Sequence, residues 1–349
     1  MAIKTSVVVV NTNDKKYLGN CLASLVDLQL PDFEIIVVDN GSVDGSVGFI
    51  TSEFPTVKVV AAGRNLGFSG ANNLGVQSAS GTYLVFVNPD TVTEKGCIEA
   101  LVSPLENDSH IGLTTAKILL MATPDLINTC GNDVHFTGFG YLRGWQAPRN
   151  SYSHVEEVCS ISGAAFAISR TFFNSLGGFD EAFSPIYVED TDLSWRARIA
   201  GYRIVYVPDA VVKHDYKSGF GPDKFFRLER NRHQMLLKTY RWPTLIVLIP
   251  ALVLSEVVSW GYAILHGNIY ISNKLRAYHW IGSHWQKILD QRIKVQKKRT
   301  NKDRTLFLMC SYHLAIEQAG DGLVIKTSGV FFNAIFFLMY YFYLILIWW

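Results

Sequence analysis

Along the first 120 residues, short apolar runs alternate with stretches whose apolar side chains recur every three or four positions. Ser6–Val10, Glu34–Val38, Val57–Ala61 and Tyr83–Val87 have strand length and are rich in Val and Ile. Between them, Asp14–Leu28 sets Tyr17, Leu18, Cys21, Leu22 and Leu25 at helical spacing, and Ser69–Ala79 reads as a helix of small residues. Short, mostly apolar strands joined by helices predict an α/β fold with a mostly parallel sheet covered on both faces. In such sheets ligands bind beyond the carboxyl ends of the strands.

The strand ends are the informative positions. The first run is followed by Asn11-Thr12-Asn13-Asp14, the second by Asp39-Asn40-Gly41-Ser42 and Asp44-Gly45-Ser46. After the third comes Arg64-Asn65-Leu66-Gly67-Phe68-Ser69-Gly70-Ala71-Asn72-Asn73, and after the fourth Asn88-Pro89-Asp90-Thr91. Any single β-to-α turn uses these residue types for backbone reasons; four in succession at one sheet edge predict a ligand site. Neither G-x-G-x-x-G after the first strand nor G-x-x-x-x-G-K-[ST] is present, which argues against a dinucleotide site and a P-loop. A nucleotide can instead be held by side chains: an ionised Asp39 is acceptor-only and suits a pyrimidine imide N–H.

A second block runs from 158 to 214. Val158–Ser169 is small and apolar, and Glu189, Asp190 and Asp192 crowd three carboxylates into four positions. Such a cluster must be solvated, paired or metal-bound; Arg196 and Arg198, on a helix over 191–200, offer pairing. Tyr202–Val207 reads as a strand ended by Pro208, and Val211–His214 as a short strand bearing a lone His, a residue that by itself is more often structural than a ligand.

Together the strings VVVVNTND, IIVVDNGSVDGS, NLGFSGANNLG, LVFVNPDT, SGAAFAISR, GGFDEAFSPIYVEDTDLSWRARIAGYRI and VVKHDYKSG resemble, in order, the family 2 glycosyltransferases of GT-A fold, the rhamnosyltransferase-like branch in particular. They cover about residues 4–240. The resemblance implies a GT-A type, Rossmann-like sheet and an inverting, metal-dependent transfer of a sugar, rhamnose or another hexose, from a nucleotide diphosphate. Thr12, Asp39 and Asn72 resemble the base and ribose contacts. Asn13, Asn40, Asn65, Asn88 and Arg230 complete the expected nucleotide-sugar site. Asp90 resembles the last carboxylate of D-x-D, which binds Mn²⁺ or Mg²⁺, and His214 the late metal ligand; Asn88 stands where the first Asp would be. Asp190 resembles the catalytic base, with Glu189 beside it. Phe225–Arg232 resembles an R-N helix after the loop Asp215–Asp223. Its Arg230 and Arg232 suit either a diphosphate, of donor or lipid carrier, or anionic lipid headgroups. The chemistry agrees: a divalent cation neutralises the leaving diphosphate, and a carboxylate takes the acceptor's proton.

Composition adds a membrane. The 349 residues are 49% hydrophobic and 18% charged with net charge +2, so no global field favours nucleic acid. The apolar excess lies in 242–265 and 327–349, while 267–326 holds 11 Lys+Arg against Asp290, Asp303, Glu317 and Asp321. Five cysteines without a C-x-x-C pair suit reduced thiols, and MAIKTSVVVV reads as a first strand, not a signal peptide. The expected organisation is a glycosyltransferase domain over 1–240, a re-entrant or interfacial helical segment over 241–266, a basic cytosolic amphipathic region over 267–326, and a transmembrane helix over 327–349. Pro250 and Gly261 mark where the second segment would turn. Nucleotide sugars are cytosolic, which puts the catalytic domain on the cytosolic face of the cytoplasmic membrane, and the positive-inside rule puts 267–326 on the same side. The alternative is two spans with 267–326 outside and both termini inside. The resemblance implies a lipid-linked or cell-surface glycan acceptor. The competing readings are a sugar nucleotidyltransferase, for which NTNDKK is a poor loop, and a non-catalytic scaffold subunit, which Asn88 favours.

Overall fold

The computed structural model describes residues 3–217, 219–318 and 323–349; Ser218 of the loop Asp215–Asp223 and residues 319–322 of the basic stretch lie outside the described residues. The chain divides into two compact units, residues 1–132, 142–197 and 202–217 forming one and 133–141, 198–201 and 218–349 the other.

In the first unit the four apolar runs become β1 (Thr5–Asn11), β2 (Phe33–Asp39), β3 (Lys58–Ala61) and β4 (Tyr83–Val87), parallel in the order β3-β2-β1-β4. The sheet continues through β11 (Ala165–Ser169), antiparallel to β4 and to β6 (Ile111–Leu120). It then passes to β12 (Arg203–His214), parallel to β6, and ends on β10 (Glu156–Glu157). β5 (Thr91–Thr93) pairs with the end of β12, and β7 (Ile127–Thr129) with the end of β6. β8 (Asn132–Val134) and β9 (Gly140–Leu142) form a separate pair.

Helices α1 (Lys15–Val26), α2 (Ser46–Glu53), α3 (Gly67–Gln77), α4 (Cys97–Asn107), α5 (Arg170–Leu176) and α6 (Glu189–Ile199) accompany the sheet. Leu18 and Leu22 of α1 and Leu101 of α4 share one core with Val7, Val9, Val37 and Val85. The small residues of α3 have a steric cause: a Cβ on Gly75 would lie 2.5 Å from Val8 and 2.9 Å from Val38. Strand order reverses between β1 and β4, and that switch point is where open α/β sheets bind ligands.

Pro208 does not end a strand. β12 runs on to His214, with Val207 opposite Ala116 and Val211 opposite Lys117, so residues 208–210 bulge out of register. A bulge accommodates a residue that cannot donate to the ladder.

The second unit is helical, comprising α7 (Pro222–Thr239), α8 (Trp242–Val247), α9 (Ile249–His266), α10 (Asn268–Ser283), α11 (Trp285–Lys297), α12 (Asp303–Met309) and α13 (Leu323–Leu346). The helix expected to close the first domain, α7, belongs here. The chain breaks between α8 and α9 beside Pro250, but α9 runs unbroken through Gly261 and turns only at Gly267, whose φ is 94°. One face of α9 buries Ala251, Ser255, Ser259 and Ala263, and the other exposes Ile249, Val253, Val257 and Ile264. α13 likewise buries Phe336, Tyr340 and Tyr343 and exposes Phe331, Leu338, Phe342 and Ile345. Both helices are long and apolar enough to cross a membrane.

Candidate functional site

Three strand ends converge through one amide. Asn40, after β2, donates from Nδ2 to Thr12 Oγ1 (3.1 Å) and to Asn65 Oδ1 (3.2 Å), and its Oδ1 accepts from the Leu66 N–H (2.7 Å). Asn13 accepts from the Val43 N–H, and its own N–H donates to Ser42 Oγ. Asp39 accepts from the Ser42 N–H at 3.3 Å and from Asn11 Nδ2 at 3.5 Å. Gly41 is required here: its φ is 78°, and a Cβ would lie 2.9 Å from the Arg64 carbonyl carbon. Thr12, Asn13, Asp39, Asn40 and Asn65 therefore meet at the carboxyl edge of the sheet. Asn72 is buried in α3 with Nδ2 bonded to the Phe68 carbonyl. Asn88 closes the turn after β4, where its carbonyl accepts from Thr91 Oγ1.

Asp90 and His214 are brought together by strand pairing. β5 sets Thr91 opposite His214, and the Asp215 N–H donates to the Asp90 carbonyl (2.9 Å). His214 Nε2 then lies 3.3 Å from Asp90 Oδ1. The other ring nitrogen, Nδ1, is 3.1 Å from Asn128 Oδ1. Asp90 Oδ1 is buried and accepts no hydrogen bond among the described residues. Burial, and then the charge of Asp90, raise the Asp14 carboxyl at the start of α1 above its usual range. An unsatisfied carboxylate oxygen, an imidazole nitrogen 3.3 Å from it that makes no hydrogen bond to it, and further negative charge nearby fit a divalent cation.

The carboxylate cluster opens α6. Arg196 donates to Asp192 (2.7 Å) and to the carbonyls of Leu176 and Gly178, so neutralisation by arginine accounts for Asp192. Asp190 is held differently. Its Oδ1 accepts from the Thr191 N–H (2.7 Å) and its Oδ2 from the Gly163 N–H (3.0 Å) and Asn132 Nδ2 (3.4 Å). Burial raises its carboxyl above the usual range against those bonds. Burial, and then the charge of Asp190, hold Glu189 well above its ordinary value, and Glu189 Oε2 accepts no hydrogen bond among the described residues. The backbone before the cluster is strained, with Tyr187 at φ 86° and the β-branched Val188 at φ 72°. No sequence signal marks that strain. Asn128, Asn132 and the ring pair Trp145–Tyr216, whose Tyr216 also faces His214, are site residues that the sequence left unmarked.

In the second unit Arg230 is buried with its guanidinium over Trp280 (4.8 Å) and Phe226 (5.6 Å). Arg232 does not present itself to a diphosphate. It donates to Glu229 (3.0 Å), Glu256 (2.5 Å) and the Thr137 carbonyl. Glu229, His233 and Glu256 lie close enough to hold a metal ion. However, Arg232 and Lys274 already neutralise both carboxylates, so this cluster is an ion-pair network and a poor cation site.

A family model described as Glycosyl transferase family 2 matches residues 6–126, and one described as Glycosyl transferase family group 2 matches 83–349, more than half of the chain. The chain is 28% identical over 247 residues to N-acetylglucosaminyl-diphospho-decaprenol L-rhamnosyltransferase of Mycobacterium tuberculosis, covering 62% of this chain and 78% of that protein. Its fold is similar to that of Staphylococcus aureus TarS in complex with UDP-GlcNAc (TM-score 0.56, 16% identity, 95% of this chain and 90% of that one). It is also similar to mannosyltransferase PcManGT from Pyrobaculum calidifontis in complex with GDP-Man and Mn2+ (TM-score 0.52, 16% identity, 85% and 87%). With side chains rather than a glycine-rich loop at its switch point, and with family models matched along almost its whole length, the chain belongs to the family 2 glycosyltransferases, enzymes that transfer sugar from a nucleotide sugar.

Proposed function

We propose that the protein is an inverting, metal-dependent glycosyltransferase acting at the cytosolic face of the cytoplasmic membrane on a lipid-linked or cell-surface glycan acceptor. The observation that carries this reading is the Asp90–His214 pair, 3.3 Å apart, with a buried oxygen left unsatisfied. Asp90 and His214 would hold Mn²⁺ or Mg²⁺, which when bound neutralises charge on the departing diphosphate. Thr12, Asn13, Asp39, Asn40 and Asn65 position the nucleotide; Asp39 favours a pyrimidine. Asp190 takes the acceptor hydroxyl's proton, and a single displacement needs no enzyme nucleophile. The named relative acts on a diphospho-decaprenol acceptor with a rhamnosyl donor, which supports a lipid-linked acceptor and a rhamnose or related hexose here.

The exposed apolar faces of α9 and α13 support membrane association. Over residues 327–349 the sequence has no charged residue, which suits a crossing helix. Glu256 on α9 is tied to Arg232 and Lys274, so α9 suits the interface with one face in lipid. Excess chelator abolishes transfer in this account and Mn²⁺ restores it, and Asp90→Ala removes the metal-dependent part of donor binding. Full activity in chelator overturns the metal assignment. Labelling from outside of a cysteine placed at Lys298 overturns the topology.

A further inference from the structure

One stretch of backbone, Ile127–Asn132, touches both halves of the site. At its start Asn128, 2% exposed, presents Oδ1 to His214 Nδ1 at 3.1 Å. At its end Asn132 donates from Nδ2 to Asp190 Oδ2 (3.4 Å) and to the Ile161 carbonyl (3.0 Å), while its Oδ1 accepts from Thr129 Oγ1 (3.3 Å). Four residues reach at most about 14 Å at ~3.6 Å each, so these contacts cap the separation of the two anchoring residues.

The stretch is itself held on both sides. The Ile127 N–H donates to the Ala147 carbonyl (2.8 Å), the Gln146 N–H to the Ile127 carbonyl (2.9 Å) and the Cys130 N–H to the Arg143 carbonyl (2.9 Å). Asn132 exchanges backbone bonds with Ser160 in both directions, 2.8 and 3.2 Å. Gly131 sits at φ 82°, where a Cβ would come within 3.1 Å of the Ser160 carbonyl oxygen.

The geometry points to Ile127–Asn132 as a strap with two positioning residues: Asn128 sets His214 for the cation, and Asn132 sets Asp190 for the acceptor's proton. With the amide oxygen of Asn128 accepting, the imidazole proton stays on Nδ1 and Nε2, 3.3 Å from Asp90 Oδ1, keeps its lone pair for a cation, the arrangement by which outer partners orient metal-binding histidines. Asn132 donates to the carboxylate form of Asp190 and fixes its direction. This inference rests on the metal and base roles proposed above, and its test separates the two.

In the full-length protein, Mn²⁺ affinity is measured by the free-ion electron paramagnetic resonance signal with saturating uridine diphosphate, and turnover by hydrolysis of UDP-N-acetylglucosamine. Asn128→Ala weakens Mn²⁺ binding about 10- to 100-fold, the usual effect of losing such a partner. Asn128→Asp, which keeps an acceptor, restores it to within about threefold. Asn132→Ala leaves Mn²⁺ affinity within about twofold and lowers hydrolysis at least ~10-fold. Unchanged Mn²⁺ affinity in Asn128→Ala, with His214→Ala weakened, overturns the strap alone. Unchanged affinity in His214→Ala overturns the metal reading beneath it. Equal Mn²⁺ loss in Asn128→Ala and Asn132→Ala shows simple local collapse and also overturns the strap.

Discussion

Replacing Asp190 by Asn keeps size and shape and removes the basic oxygen. The structure sets two costs. Oδ1 accepts from the Thr191 N–H at 2.7 Å, and Oδ2 from the Gly163 N–H at 3.0 Å and Asn132 Nδ2 at 3.4 Å. An amide has one oxygen, so in either orientation its NH₂ meets an N–H donor; leaving a buried donor unsatisfied costs about 1–3 kcal/mol. The catalytic cost is separate. General base catalysis contributes roughly 10²- to 10⁴-fold, about 2.7–5.5 kcal/mol at 1.36 kcal/mol per decade. Release of nucleotide diphosphate, followed well below the variant's unfolding midpoint, should fall at least ~10²-fold while uridine diphosphate binds within about twofold. Turnover within about threefold of wild type, with folding confirmed, would refute the assignment and move the base to Glu189 or to water.

Arg232→Met should lower stability by about 3–5 kcal/mol, because it leaves Glu229 and Glu256 short of a buried partner; chemical unfolding in detergent measures this, and donor KM should stay unchanged. Val188→Gly releases roughly 1–3 kcal/mol of backbone strain at φ 72°, so the unfolding midpoint should hold or rise while kcat falls. Glu189 has a folded pKa raised by burial, so its contribution to stability is present below its unfolded value and is lost as pH rises through the folded one. Unfolding at pH 5 and pH 7 should show wild type losing stability over that interval relative to Glu189→Gln.

The parallel half of the sheet was legible because β1, β2 and β4 are largely buried and therefore mostly apolar, while the exposed edge strand β3 showed only through its short Val-rich run. β12 was not legible as one strand, because Pro208 is an ordinary terminator unless a bulge absorbs it, and pairing with β6 is a long-range event. Asp90 and His214 stood out in their strings, while their proximity depends on Thr91 pairing with His214 across more than a hundred residues. Asn128 and Asn132 carry no signal, since Leu126–Asn132 is a polar-apolar mixture without helical or strand period. Arg232 looked like a diphosphate ligand because a sequence shows a guanidinium but not the carboxylates packed on it. α9 kept its helix through Gly261 because a single glycine costs a helix only about 1 kcal/mol.

Diffraction from crystals of the full-length protein grown with Mn²⁺ and uridine diphosphate, recorded at the manganese edge, locates the cation. One anomalous peak is expected within bonding distance of both the Asp90 carboxylate and His214 Nε2, on the edge that carries Asp39 and Asn40. A peak at Glu229, His233 and Glu256 instead, or nucleotide bound with no peak beside Asp90, would contradict it.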